Sequence, residues 1–245
     1  MSTTSELGQA KNLANFEILI SYCINFEERY NPSREDLKIA NLQALLAKTK
    51  AAMAEHSLKV VAQNHAISQR QEAFAPLKSL STKLVNAFKI SGVDDLTVTR
   101  AKAINRKIQG KKALSTLKRM KKETPEEPIV TISTSQQSYN YLVEHLDALV
   151  RLLAAHPEYN PNEIPLQIPT LKDYINQLKA CNLAVMNTHV AYEGSRSTKN
   201  TLLYHDKTGL LDIALDVKAY IKVIFGVKSY EYGLIKGISF KRRDI

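Results

Sequence analysis

Ten basic residues fall within 23 positions of this chain, with no acidic residue among them. They are Arg100, Lys102, Arg106, Lys107, Lys111, Lys112, Lys118, Arg119, Lys121 and Lys122. Ile104, Ile108, Leu114, Leu117 and Met120 recur between them at near-helical spacing, interrupted at Gly110. A basic amphipathic segment of this kind suits phosphates, anionic lipid head groups or an acidic protein face. A plainer reading also fits, because cations favour helix C-termini and charged faces are usually just solvated. The distribution of charge sharpens the point. The chain carries a net charge of +10. Residues 1–99 contribute +1, 100–122 contribute +10, 123–135 contribute −3 and 136–245 contribute +2. One short segment therefore accounts for the excess. Lys241, Arg242 and Arg243 form a second, smaller basic cluster near the C-terminus.

Other chemistry-bearing residues are sparse. Cys23 and Cys181 are too few for a disulfide framework or a zinc cluster, and both lie in apolar surroundings, as buried thiols do. Of the six histidines, only His189 has an acidic residue four positions on, Glu193, and one pair is not a metal site. No dinucleotide-binding, P-loop, nucleophile-elbow or zincin motif occurs. A helical bundle raises the di-iron carboxylate class, but no Glu-x-x-His pair exists anywhere in the chain. The residues thus give no catalytic set, no metal ligands and no cofactor, and the chain reads as a non-enzyme. Tyr220, Tyr230 and Tyr232 are read as closing a bundle end rather than as an exposed aromatic patch.

The elements that would carry these residues come from composition and pattern. The 245 residues include 8 Gly, 8 Pro and no Trp, with 44% apolar residues, which favours an all-α globular fold over a turn-rich β fold. No apolar run approaches a membrane span. The opening MSTTSELGQAK lacks the basic start and apolar core of a secretory signal, and with two cysteines the chain reads as cytoplasmic.

The chain also resembles itself. Tyr30-Asn31-Pro32 returns as Tyr159-Asn160-Pro161, 129 residues on. Over residues 30–62 this offset gives 10 identities in 33 positions, where chance gives roughly 2. Further on the offset is 134, pairing Ile90 with Ile224 and Gly92-Val93 with Gly226-Val227. A five-residue insertion in the second copy explains the change. The reading is a tandem duplication of an antiparallel four-helix bundle. Residues 1–122 form the first bundle with a basic final helix, 123–137 a Pro-containing extended linker, and 138–245 the second bundle.

Within each copy, helical spacing places the first helix near 8–28 and 138–155. A turn at Tyr-Asn-Pro follows, whose Tyr packs on the bundle end. The second helix is expected from Ser33, as its N-cap, to about residue 68, and from Pro169 in the second copy. Pro76 is expected to start or kink the third helix, Gly92 to end it, and Asp94 or Asp95 to begin the fourth. Gly194-Ser195-Arg196-Ser197 marks the second-to-third connection of the second copy, and Gly226 closes its third helix.

These readings lead to a helical interaction or structural protein, self-associating through bundle faces or binding a protein partner. The alternative is a nucleic-acid-binding protein using 100–122, with a membrane surface less favoured. Salt separates the two, since phosphate binding weakens steeply with salt and apolar association does not.

Overall fold

A computed structural model describes residues 4–111 and 137–242, with side chains from residue 8 onward. It is all-helical. The helices are α1 (Thr4–Asn25), α2 (Ile39–Phe74), α3 (Leu77–Ile90), α4 (Asp95–Ile108), α5 (Tyr139–Ala154), α6 (Ile168–Tyr204), α7 (Leu210–Phe225) and α8 (Tyr230–Ile235). Short 3-10 turns lie at Glu27–Arg29, Glu35–Leu37 and Ile164–Leu166. The two halves of the chain run through the same order, α1 to α4 and α5 to α8.

Side chains at the helix ends explain where each helix starts and stops. Asp94 accepts from Thr97 N at 2.9 Å, Ser138 from Tyr141 N at 3.3 Å and Ser229 from Tyr232 N at 3.1 Å, so each caps its helix. Gly92 and Gly226 follow α3 and α7 with φ of 89° and 91°, left-handed values that a Cβ disfavours. The Tyr-Asn-Pro turns share one device. Tyr30 Oη donates to Leu37 O at 2.7 Å, and Tyr159 Oη donates to Leu166 O at 2.8 Å, with both rings buried. Ser33 does not cap α2. A 3-10 turn at Glu35–Leu37 intervenes, and α2 begins at Ile39.

α2, at 36 residues, has the expected length but lies six residues further on, and α6, at 37 residues, is longer than the sequence suggested. α2 runs past residue 68 to Phe74, with no Gly or Pro to stop it. α6 runs straight through Gly194–Ser197, where a connection was expected. Gly194 costs a helix interior only about 1 kcal/mol, and the Ser195 hydroxyl is satisfied by Tyr192 O at 2.8 Å. The actual connection is 205–209, five residues against two at 75–76. It requires its glycine, because a Cβ on Gly209 would sit 2.6 Å from His205 N. The register of the third helices also differs from expectation. Buried Leu77, Ser81, Leu84 and Phe88 correspond in spacing to Leu210, Ala214, Val217 and Ile221, each 133 residues on rather than 134. α7 is two residues longer than α3 and absorbs the difference at its end.

The chain divides into two compact units, Met1–Ala62 with His189–Ile245, and Gln63–Thr188. These boundaries differ from the sequential division 1–122, 123–137 and 138–245. Each unit takes segments from both sequence repeats. The first unit's core joins Phe16, Leu19, Ile20, Cys23, Phe26 and Leu42 to Leu203, Leu210, Ile213, Val217, Ile221 and Ile235. The second unit's core joins Phe74, Leu77, Leu84 and Phe88 to Leu142, Leu146, Leu149, Leu153, Leu171 and Leu178. The physical reason is helix length. At 1.5 Å per residue, a helix such as α2 spans about 54 Å, so its two ends cannot share one core.

Candidate interaction surfaces

Half of the basic segment can be placed. α4 buries Thr97, Val98, Ala101 and Ile108 against α3 and α5. Arg100, Lys102, Lys107 and Lys111 are exposed, and Arg106 is half-buried. At 100° per residue, Thr99 and Ala103 sit at the middle of the exposed face. Arg100 and Lys107 lie to one side of them, and Lys102 and Arg106 to the other. Among the described residues, Arg100, Lys102, Lys107 and Lys111 make no ion pair. The field of this face is felt nearby. Burial lowers the His145 pKa, and the Lys107 ammonium lowers it further. The helix dipole accounts for Arg106 and Lys107 in the last turn, but not for Arg100 and Lys102.

Gly110 ends the helix. Its φ is 73°, Gly110 N bonds to Lys107 O at 3.1 Å and Lys111 N to Arg106 O at 2.9 Å. That pair of bonds is a Schellman motif. The basic segment is therefore not one continuous helix from 100 to 122. Lys112, Lys118, Arg119, Lys121 and Lys122 lie outside the described residues, as does the linker up to residue 136. At the C-terminal cluster, Arg242 is tied down, donating to Tyr204 O at 3.0 Å and pairing with Asp212 at 3.6 Å. The backbone of Lys241 exchanges two hydrogen bonds with the Asn12 amide, at 2.9 and 3.0 Å. Arg243 lies outside the described residues. Tyr220 and Tyr232 pack on the first unit's core, whereas Tyr230 is largely exposed.

A second feature was not read from the sequence. The middle stretches of α2 and α6 bury polar residues alongside Ala52, Ala66 and Val185, and they expose several larger apolar ones. In the first unit, Thr49, His56, Ser195 and Lys199 are buried. His56 Nδ1 lies 2.9 Å from Ser195 Oγ, and the His56 ring sits 5.3 Å from the Tyr192 ring. In the second unit, the Thr188 hydroxyl lies 2.6 Å from Gln63 Oε1. Meanwhile Leu58, Val61 and Val190 of the first unit are 64–70% exposed, and Leu183 and Met186 of the second are 52% and 57% exposed. The repeat of Leu58 and Val61, and of Leu183 and Met186, at i and i+3 is the available sequence signal. It was hidden because periodicity alone does not say which face of a helix is covered.

The His56–Ser195 pair has the spacing of an activated nucleophile, and the Ser195 hydroxyl also lies 2.8 Å from Tyr192 O. Both side chains are also buried. Cys23 is fully buried with its thiol pushed up to about 12 by desolvation, which makes it inert. No group of three or more potential metal ligands occurs among the described residues, and none of their helices is long and apolar enough to cross a membrane. Comparison of the chain with protein-family models, with curated proteins and with solved structures returns no match.

Proposed function

We propose that this protein is a non-enzymatic helical interaction protein that self-associates through exposed apolar residues of α2 and α6 in the first unit. The observation that carries this reading is that Leu58, Val61 and Val190 are 64–70% exposed while Thr49, His56, Ser195 and Lys199 of the same unit are buried. Beside those polar residues, the small side chain of Ala52 adds little apolar burial. Covering the exposed set would remove further apolar surface from water at about 25 cal/mol per Å². The origin proposed for the chain is a tandem duplication of a four-helix unit whose long second helices exchange partners. The twin tyrosine bonds and the glycines at equal φ support that history.

Size-exclusion chromatography with light scattering tests the reading. We expect an oligomer that survives high salt and is lost in the variant Leu58→Glu/Val190→Glu. A monomer at all salt concentrations rejects it. A second reading, binding to nucleic acid or another polyanion, is favoured by Arg100, Lys102, Lys107 and Lys111, which make no ion pair among the described residues. It predicts a salt-sensitive shift with a mixed-sequence oligonucleotide, lost on neutralising Arg100, Lys102, Lys107 and Lys111.

A further inference from the structure

The second unit holds a cavity of about 700 Å³ between the start of α3 and the turn leading into α6. Its lining is largely apolar, with Pro76, Leu80, Pro165, Leu166, Leu171 and Tyr174. Its size is that of a small-molecule pocket. Lys83, Glu163 and Asp173 stand on its rim, all exposed and without an ion-pair partner among the described residues.

The matching place in the first unit is shut. Glu163 corresponds to Arg34, 129 positions earlier, and Lys83 to Asp216, 133 positions later. Arg34 and Asp216 are ion-paired at 2.5 Å, so the same two positions carry opposite charges in reversed order. There α7 touches the Glu35–Leu37 turn, and Ile213 is 1% exposed. Its counterpart Leu80 is only partly buried and lines the cavity. The third rim charge, Asp173, has Ala44 as its counterpart. The second unit therefore keeps an open apolar groove with two carboxylates and one ammonium where the first unit has a closed clasp.

From this arrangement we infer that the cavity is a binding site for a small apolar molecule carrying a positively charged amine. The apolar part fills the space over Leu80, Leu166, Leu171 and Tyr174, and the cationic end meets Glu163 and Asp173. Surface charge pairs are individually weak, so the head group confers a modest preference and the apolar contact most of the affinity.

The test uses the full chain and three probes with one tail, decyltrimethylammonium, decanoate and decanol, each titrated below its micelle concentration by calorimetry. The cation should bind about three- to tenfold more tightly than the other two. Glu163→Gln/Asp173→Asn should bring all three to similar affinity. Lys83→Glu, at an exposed residue without partners, should tighten the cation about threefold. Ser79→Trp, which fills the cavity from its exposed wall, should abolish binding of all three. Equal affinity for the three probes, or a Lys83→Glu variant that leaves the cation unchanged, overturns the inference. So does undiminished binding in a folded Ser79→Trp variant. Should Ser79→Trp fail to fold, the Lys83→Glu result decides.

Discussion

Cutting the chain where the sequence repeat divides it gives two fragments, 1–122 and 138–245. If each repeat closed its own bundle, each fragment would fold alone as a monomer. The observed cores demand otherwise. In fragment 1–122, Phe16, Leu19, Ile20 and Leu42, all at most 3% exposed in the chain, lose α7 and the end of α6 as their covering. At about 2 kcal/mol for each large side chain returned to water, those four alone account for about 8 kcal/mol. That is comparable with the whole stability of an ordinary domain, about 5–15 kcal/mol. Leu77, Leu84 and Phe88 lose α5 in the same fragment. Each fragment alone should be unfolded or form a dimer with itself, and mixing the two should give a 1:1 folded complex. Circular dichroism melts combined with light scattering read this directly. A monomeric 1–122 that unfolds cooperatively near the temperature of the full chain would refute the cross-paired cores.

Other outcomes follow from single contacts. Tyr30→Phe and Tyr159→Phe each leave a carbonyl without its partner, so each should cost about 1–2 kcal/mol in a urea melt. Their effects should add, because the residues lie in different units. Gly209→Ala should destabilise strongly through the 2.6 Å clash with His205 N, whereas Gly194→Ala, with nothing within 4 Å, should stabilise by about 1 kcal/mol. Asp94 is held below the usual carboxylate range by its bonds to Thr97, and Glu231 by its own backbone N–H and then by Arg29. A depressed carboxylate contributes stability above its unfolded value and loses it as pH falls through the folded one. Thermal stability should therefore drop on acidification below about pH 4, and Asp94→Asn should flatten that limb. Iodoacetamide should label half-buried Cys181 in the folded chain and reach Cys23 only on unfolding.

Local signals were legible in the sequence because they rest on chemistry within a few residues. Asp94 as a cap, Gly92 and Gly226 as helix ends, and the packed tyrosine of Tyr-Asn-Pro each depend on neighbours in the chain. Identity at an offset of 134 marks the turns after α3 and α7 at Gly92 and Gly226, whereas the buried positions of those helices repeat at 133. The pairing of segments was not legible at all. Helical periodicity marks a face to be covered but not the helix that covers it. Gly194 and Ser195 looked like a bend, yet one glycine costs a helix too little to break it once Ser195 and His56 have satisfied each other.

Comparing the two halves separates what holds the fold from what is free to differ. The tyrosine bonds that tie the backbone after each first helix are the same in both, Tyr30 to Leu37 and Tyr159 to Leu166. Positions on the clasp are not. Arg34 and Asp216 close one groove, while Glu163 and Lys83 leave the other open, although simple charge pairing would allow both to close. The same contrast marks the ends of the two halves. α4 continues to a Schellman stop and exposes Arg100, Lys102 and Lys107, whereas α8 stops after six residues and its tail is bound back to Asn12, Asn15 and Lys218. The open groove and the cationic end of α4 both lie in the second unit.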